Sequence, residues 1–309
     1  MITRYPLYIN GQFIDCSQSQ NILNPSTGKV IAEVALASDK EIELALASAR
    51  LASDRGVWPR LTLTQRKEFI FKIAQGLLGQ AGELAALETL NSGKPIKETT
   101  FMDVPSAAKT FEFVANNFID YLNTQELNVG EAKGKLIREP MGVVVLIVPW
   151  NYPLLIACWK LASALAAGNT VILKPSSLTP LSVLVLAKII HNAGLPAGVV
   201  NIVNGPGQKI GQLLCSDKRV DMVSFTGSNE TGKNILQYCS THIKKSIMEL
   251  GGKSASLIFA DSDLDLVVNS ALVSVFLNQG QMCTAMSRIF VQDTLYQRFI
   301  ESFAEKSKR

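Results

Sequence analysis

Hydrophobic and polar positions follow two rhythms along this chain, with the change near Gly142. In the earlier part, LYINGQFI alternates apolar and polar residues around Asn10-Gly11, a pair suited to a tight hairpin turn. SDKEIELALASARLA opens on a Ser38-Asp39 cap and keeps a helical apolar period. LTQRKEFIFKIAQGLLGQAGELAALETLNSG predicts one long helix or a pair, ended by Asn91-Ser92-Gly93, and residues 98–121 predict another amphipathic helix. The weakly patterned stretch 122–140, with Gly130 and Gly134, predicts a protruding ribbon.

After Gly142 the runs VVVLIV, VILK, VVNIV and DMVSF are short, β-branched and continuously apolar, as buried parallel strands are. Helical stretches at 153–168, 179–193 and 208–216 separate them. This alternation predicts a doubly wound α/β sheet. IMELGG and ASLIFA continue the strands, a helix follows from about Asp263, and YQRFIESFAEKSKR closes as an amphipathic helix.

Composition narrows the class. The chain has 309 residues, 47% hydrophobic and 18% charged, enough for one large domain or two with a full core. The formal net charge is +4, and no basic stripe stands out except the terminal KSKR, so no nucleic-acid partner is expected. Five separated cysteines without a CxxC pair suit a reducing compartment. Two histidines supply neither a histidine-rich metal site nor a Ser-His-Asp triad, and no metal is expected. The opening MITRYPLYINGQ lacks the apolar core of a secretory signal, and no apolar run reaches the length of a membrane span. A cytoplasmic protein is expected.

Several positions could carry chemistry, each with a structural alternative. Cys283, in NQGQMCTAMSR, reads either as a small buried hydrophobe or as a nucleophile. In VNIVNGPGQKIG, Gly205, Gly207 and Gly211 follow a strand but miss the G-x-G-x-x-G spacing; they suit a phosphate-gripping turn or plain turn punctuation. VSFTGSNETGKN approaches a P-loop, yet Asn234 stands where that motif needs a magnesium-binding hydroxyl; phosphate contact by the amides near Ser228 survives. DSDLDL lacks the glycine and glutamate of a calcium loop and is expected to cap a helix. Asn151 in IVPWNYP offers an amide donor or a turn residue, and Glu249 in SIMELGGK a base for water or a strand-end carboxylate. Lys174, ending VILKP, is a ligand for hydroxyl or phosphate groups or a surface lysine.

PWNYPL, LKPSSLTP, FTGS, MELGGKSA and NQGQMC, in this order and spacing, resemble the NAD(P)-dependent aldehyde dehydrogenase superfamily, and the resemblance extends over almost the whole chain. It implies that Cys283 attacks an aldehyde, and that Asn151 and the Cys283 backbone amide hold the resulting oxyanion. Hydride passes to NAD or NADP, and Glu249 activates the water that releases a carboxylic acid. Lys174 matches the ligand of the adenosine ribose, while Trp150, Gly207, Gly211, Gly227 and Ser228 match coenzyme contacts. Ser177 stands where NAD-preferring members often carry glutamate, which leaves NADP open. Tyr152 and Trp159 match part of an aromatic box for a cationic nitrogen, but Leu277 replaces a further tryptophan, so a general apolar aldehyde stands beside a cationic one.

The same resemblance implies a Rossmann-like coenzyme domain from residues 1–121 and 141–250, an oligomerisation ribbon at 122–140, and the first part of a catalytic domain at 251–309. Family members continue further and carry an E-x-F-G-P motif absent here, so the expectation is a C-terminally truncated member, homo-oligomeric in its full-length form. This chain alone is expected to show little or no turnover, and an inactive nucleotide-binding fragment is the alternative.

Overall fold

Near the amino end, short alternating segments give β1 (Thr3–Tyr5), β2 (Leu7–Ile9), β3 (Gln12–Ile14), β4 (Ser19–Leu23) and β5 (Val30–Ala35). The hairpin at Asn10-Gly11 joins β2 to β3, with both turn residues at positive φ, 52° and 76°. Helices α1 (Asp39–Asp54) and α2 (Leu63–Gly79) each begin with a reciprocal cap, Ser38 with Glu41 and Thr62 with Gln65, which satisfies otherwise orphaned amides. Gln80 leaves the helical conformation between α2 and α3 (Ala81–Ser92), so the long helical segment is a pair, and α3 ends at left-handed Gly93. The helix expected over 98–121 is interrupted: α4 (Ile96–Glu98), a π-helical turn at Thr99–Asp103, then α5 (Val104–Leu122). Within 122–140, β6 (Gln125–Val129) and β7 (Ala132–Leu136) pair antiparallel.

The second half alternates regularly: β8 (Val143–Ile147), α6 (Pro153–Ala166), β9 (Thr170–Lys174), α7 (Leu181–Asn192), β10 (Val200–Ile202), α8 (Gly207–Ser216), β11 (Met222–Gly227), α9 (Asn229–Ser240) and β12 (Lys245–Leu250). β13 (Ala255–Ile258), α10 (Leu264–Phe276), β14 (Arg288–Val291) and α11 (Asp293–Lys306) complete the chain. This computed structural model describes residues 2–130 and 132–308; Met1 of the opening, Glu131 of the expected ribbon and Arg309 of the basic terminus lie outside it. Among the described residues no helix is long and apolar enough to cross a membrane.

Seven strands form one sheet in the order β12-β11-β8-β9-β10-β2-β3, and β11, β8, β9 and β10 run parallel. Every residue of β8 and β9 is buried, because helices cover both faces. Val144, Leu146 and Leu173 join a core with α2, α5, α6 and α7, while Val143, Val145 and Ile172 face α1, α8 and α9. The amino-terminal hairpin extends this sheet, β2 pairing antiparallel with β10. Chain order reverses at β8: β9 and β10 build outward on one side and β11 on the other. In such sheets ligands bind beyond the carboxyl ends of the strands that flank this reversal.

Internal contacts divide the chain into Met1–Glu249 and Leu250–Arg309. The second unit is a β13-α10-β14 crossover followed by α11. Its strands pair in parallel, and its small core contains Ile258, Val268, Ala271, Leu295 and Phe299.

Candidate active site

A cavity of about 370 Å³ opens where the strand order reverses. Ile147 at the end of β8, Lys174 at the end of β9 and Phe225 of β11 form its strand side. Gly207 and Gly211 of α8 face Ile235 of α9 across it. A Cβ at Gly211 would lie 3.6 Å from Ile235 Cδ1, an ordinary packing distance, so α8 and α9 meet beside the cavity. Gly207 begins α8, so backbone amides at the helix start are available to an anionic ligand.

Lys174 supplies the cationic group. Its side chain is buried, Nζ donates to the Pro175 carbonyl oxygen at 3.1 Å, and a Cβ on Gly207 would lie 3.9 Å from that nitrogen. An ammonium has three donors, which leaves two for a ligand in the cavity that Lys174 lines. Burial lowers its pKa to about 8, because the charged form loses water and gains no carboxylate.

Other expected coenzyme contacts lie near this cavity's elements without lining it. Trp150 is 44% exposed in the turn between β8 and α6, and its carbonyl oxygen accepts from Thr179 Oγ1 at 3.0 Å. Ser177 is half-buried after β9 and accepts a bond from Gln20 through its backbone oxygen. Gly227 ends β11, and the Ser228 hydroxyl is engaged as the α9 cap, accepting from the Thr231 amide at 3.2 Å. Glu230 and Thr231, which the sequence did not single out, line the cavity together with Asn234, which it weighed only against a P-loop; helical periodicity identifies α9 but not the face turned to the cavity.

Asn151 is half-buried, two residues before Pro153 opens α6. Proline at the first helical position loses no hydrogen bond, so the strand, turn and helix succeed one another within a few residues. Glu249 is exposed on the outer strand β12. Its charge reaches Lys160 of α6, a residue the sequence reading passed over. Burial lowers the Lys160 pKa to about 8 against the opposing pull of Glu249, and Nζ donates to Ser224 Oγ at 2.7 Å. The available signal was a lone lysine in the otherwise apolar helix PLLIACWKLASALA.

Cys283 belongs to the second unit and Asn151 and Glu249 to the first. Of five free cysteines, Cys158, Cys215 and Cys239 are buried, Cys16 is half-buried and Cys283 is exposed. Asn278, Gln279 and Gly280 all take positive φ just before it, a sharp local reversal after α10. A Cβ on Gly252 would come within 2.6 Å of the Cys283 carbonyl oxygen, so Gly252 permits the loop to lie against it.

A second opening of about 450 Å³ lies between α5 and α6, where Phe113, Phe118 and Trp159 line it with Lys109. Tyr152 lies elsewhere: Lys94 Nζ stands 3.6 Å from its ring centroid.

Comparison with known proteins gives a consistent result. The model for the aldehyde dehydrogenase family matches residues 13–309. Betaine aldehyde dehydrogenase of Bacillus subtilis is 40% identical over 307 residues, covering 98% of this chain and 62% of that protein. Aldehyde dehydrogenase B of Escherichia coli is 43% identical over 310 residues, covering 96% of this chain and 59% of its own length. Among solved structures, an NAD-dependent aldehyde dehydrogenase from Sinorhizobium meliloti superposes with TM-score 0.96 at 35% identity, over 100% of this chain and 62% of that one. An NAD+ complex of an aldehyde dehydrogenase from Bacillus cereus gives 0.95 at 35% identity, over 99% and 63%. The chain thus spans about three-fifths of the length of the relatives it matches.

Proposed function

Because the chain belongs to the aldehyde dehydrogenase family, we propose that it carries the coenzyme site, oxyanion donor, base and nucleophile of an NAD(P)-dependent aldehyde-oxidising enzyme. The observation that carries this reading is the cavity at the strand reversal, where a buried lysine meets a helix start. Ribose hydroxyls suit the remaining donors of Lys174, pyrophosphate suits the amides at the start of α8, and a flat ring suits the apolar wall of Ile147, Phe225 and Ile235. Residues 1–121 and 141–250 then act as the coenzyme domain, 122–140 as a subunit-contacting ribbon and 251–309 as part of the catalytic domain.

The Cys283 thiolate attacks the aldehyde carbon, and the carbonyl oxygen takes the negative charge. The Asn151 side-chain amide and the Cys283 backbone N–H donate to that oxygen where charge develops. A bound nicotinamide coenzyme would supply the acceptor for the hydride that this carbon gives up. Glu249 takes a proton from the water that cleaves the resulting Cys283 thioester, which yields a carboxylic acid and restores the thiol. Ser177 presents no carboxylate to repel a 2′-phosphate, so NADP is accepted beside NAD.

For the substrate we favour an uncharged aldehyde. The relative from Bacillus subtilis is named for betaine aldehyde, a cation. Here Leu277 takes the place of an aromatic residue, Lys94 already occupies one face of Tyr152, and Lys109 lines the opening beside Trp159. A second cation gains little among these groups.

Calorimetry with NAD and NADP, and nicotinamide absorbance with a panel of neutral, cationic and anionic aldehydes, test this reading. Wild type and Cys283→Ala are expected to bind coenzyme equally, while only the thiol-bearing chain forms a mass-detectable acyl adduct with aldehyde. Failure to bind either coenzyme overturns the proposal; binding without adduct leaves a nucleotide-binding module in its place.

A further inference from the structure

A buried ionic cluster lies behind the turn that carries Asn151. Lys94 follows α3, and its side chain is fully enclosed. It forms an ion pair with Asp103, whose side chain is only 4% exposed. Asp103 is the last residue of the π-helical turn Thr99–Asp103, the interruption that a regular helix over 98–121 lacks. Such turns insert one residue and re-aim the side chains around them, and they recur at functional sites. The same Lys94 ammonium stands over the Tyr152 ring, 3.6 Å from its centroid.

Burying a charged pair this completely is weak evidence for a stabilising role, since apolar residues of similar volume often serve as well. What this pair touches is the residue next to Asn151. Tyr152 ends the turn, and Pro153 begins α6 immediately after it. On the other side the turn is tied down by Thr179, whose hydroxyl donates to the Trp150 carbonyl oxygen. The segment behind Thr179 is tied in turn to α3: Asn91 Nδ2 donates to the Leu178 carbonyl oxygen at 3.0 Å, and the Leu181 amide donates to Asn91 Oδ1 at 3.2 Å. Residues 148–152 are therefore gripped at the backbone of Trp150 and at the ring of Tyr152, one residue to either side of Asn151.

We propose that Lys94 is a positioning residue for Asn151: its ammonium, fixed by Asp103, holds the Tyr152 ring and with it the angle at which Asn151 leaves the turn. This rests on the reading of Asn151 as the oxyanion donor. Displacement of a catalytic donor by about 1 Å lowers turnover roughly 100-fold while coenzyme affinity is untouched.

Amide hydrogen exchange on the 309-residue chain, with or without turnover, is the test. Lys94→Met alone leaves Asp103 buried without its partner, so the informative variant is Lys94→Met with Asp103→Asn, which removes both charges at nearly constant volume. In that variant amides of residues 148–155 are expected to exchange about 10-fold faster or more, with β9 and α8 unchanged. Tyr152→Leu, which keeps bulk and removes the aromatic face, is expected to reproduce this, and Tyr152→Phe to restore wild-type exchange. Unchanged exchange at 148–155 overturns the proposal, and so does a uniform rise across the fold, which marks Lys94 as merely structural. Where aldehyde turnover is measurable, kcat falls in the double variant at unchanged KM for coenzyme. Local loosening without any effect of Asn151→Ala on adduct formation leaves the positioning of the turn intact and overturns the role of Asn151 instead.

Discussion

Glu88 of α3 is enclosed completely, with its carboxyl hydrogen-bonded to the Ser182 hydroxyl at the start of α7. Burial raises its pKa to about 7, against the pull of the Ser182 hydroxyl and the Lys94 ammonium. The folded chain thus holds a proton that the unfolded chain releases around 4.5, the ordinary value of the group. Between these two values the native state binds more protons, so this group favours folding most at the acid end and its contribution is lost as pH rises towards 7. Glu88→Gln keeps an acceptor for Ser182 and cannot ionise. Its stability, measured by thermal melting from about pH 5 to about pH 7.5, is expected to lose a downward slope worth roughly 3 kcal/mol in wild type. An identical slope in both proteins would show that Glu88 is not the titrating group. Nothing in the sequence marks Glu88, Lys94 or Asp103: Glu88 and Asp103 sit in helical stretches and Lys94 in the Gly93-Lys94-Pro95 loop after α3, where charged residues ordinarily face solvent. Their burial arises from tertiary packing of α3, α5, α6 and α7. Cys283 was legible as a candidate only through its motif, and its exposure is what sets it apart from the buried cysteines.

Local patterns carried much of the fold. Continuous β-branched runs flanked by glycine and proline gave β8, β9, β10 and β11, and the capping residues before α1 and α2 marked where those helices start. The π-helical turn before α5 was not legible, since the helical apolar period does not register one inserted residue, and the pairing of the amino-terminal hairpin with β10 was not, since it joins segments far apart in the chain. Helix-to-helix packing is equally silent in sequence, and Gly76 shows why. Within α2 a glycine normally weakens a helix by about 1 kcal/mol relative to alanine. Here a Cβ would sit 2.5 Å from Ile189 Cγ2 of α7, so the missing side chain is what lets the two helices approach. Gly76→Ala is expected to destabilise the first unit by about 1–3 kcal/mol through overpacking, despite its better helix propensity. Gly79→Ala, with nothing within 4 Å, is expected to be neutral or mildly stabilising. Adding Ile189→Leu, which removes the offending methyl, should restore most of the loss in denaturant melts. Equal effects at Gly76 and Gly79 would contradict the packing argument.

At the scale of the molecule, the two units differ in how fully their sheets are covered. The seven-stranded sheet has helices on both faces, but the second unit has two parallel strands with α10 and α11 supplying its core. Ile258 and Val291 face those helices, while their strand neighbours Leu257 and Phe290 are a cross-strand pair turned the other way and are 65% and 54% exposed. Parallel strands are ordinarily buried on both sides. Phe259 and Phe276 of the same unit are also more than half exposed. Isolated apolar residues on a surface are normal, whereas a contiguous group on a sheet face promotes association. With a formal charge of only +4 over 309 residues, repulsion between copies is weak. The purified chain is therefore expected to self-associate at about 10 μM and to bind a hydrophobic dye. Leu257→Lys with Phe290→Glu places opposite charges directly across the strands and leaves the Ile258, Val268 and Phe299 core untouched. Light scattering and dye fluorescence should both fall severalfold in that variant at an unchanged melting temperature. A wild-type chain that stays monomeric and dark to the dye would show that this face is covered in solution.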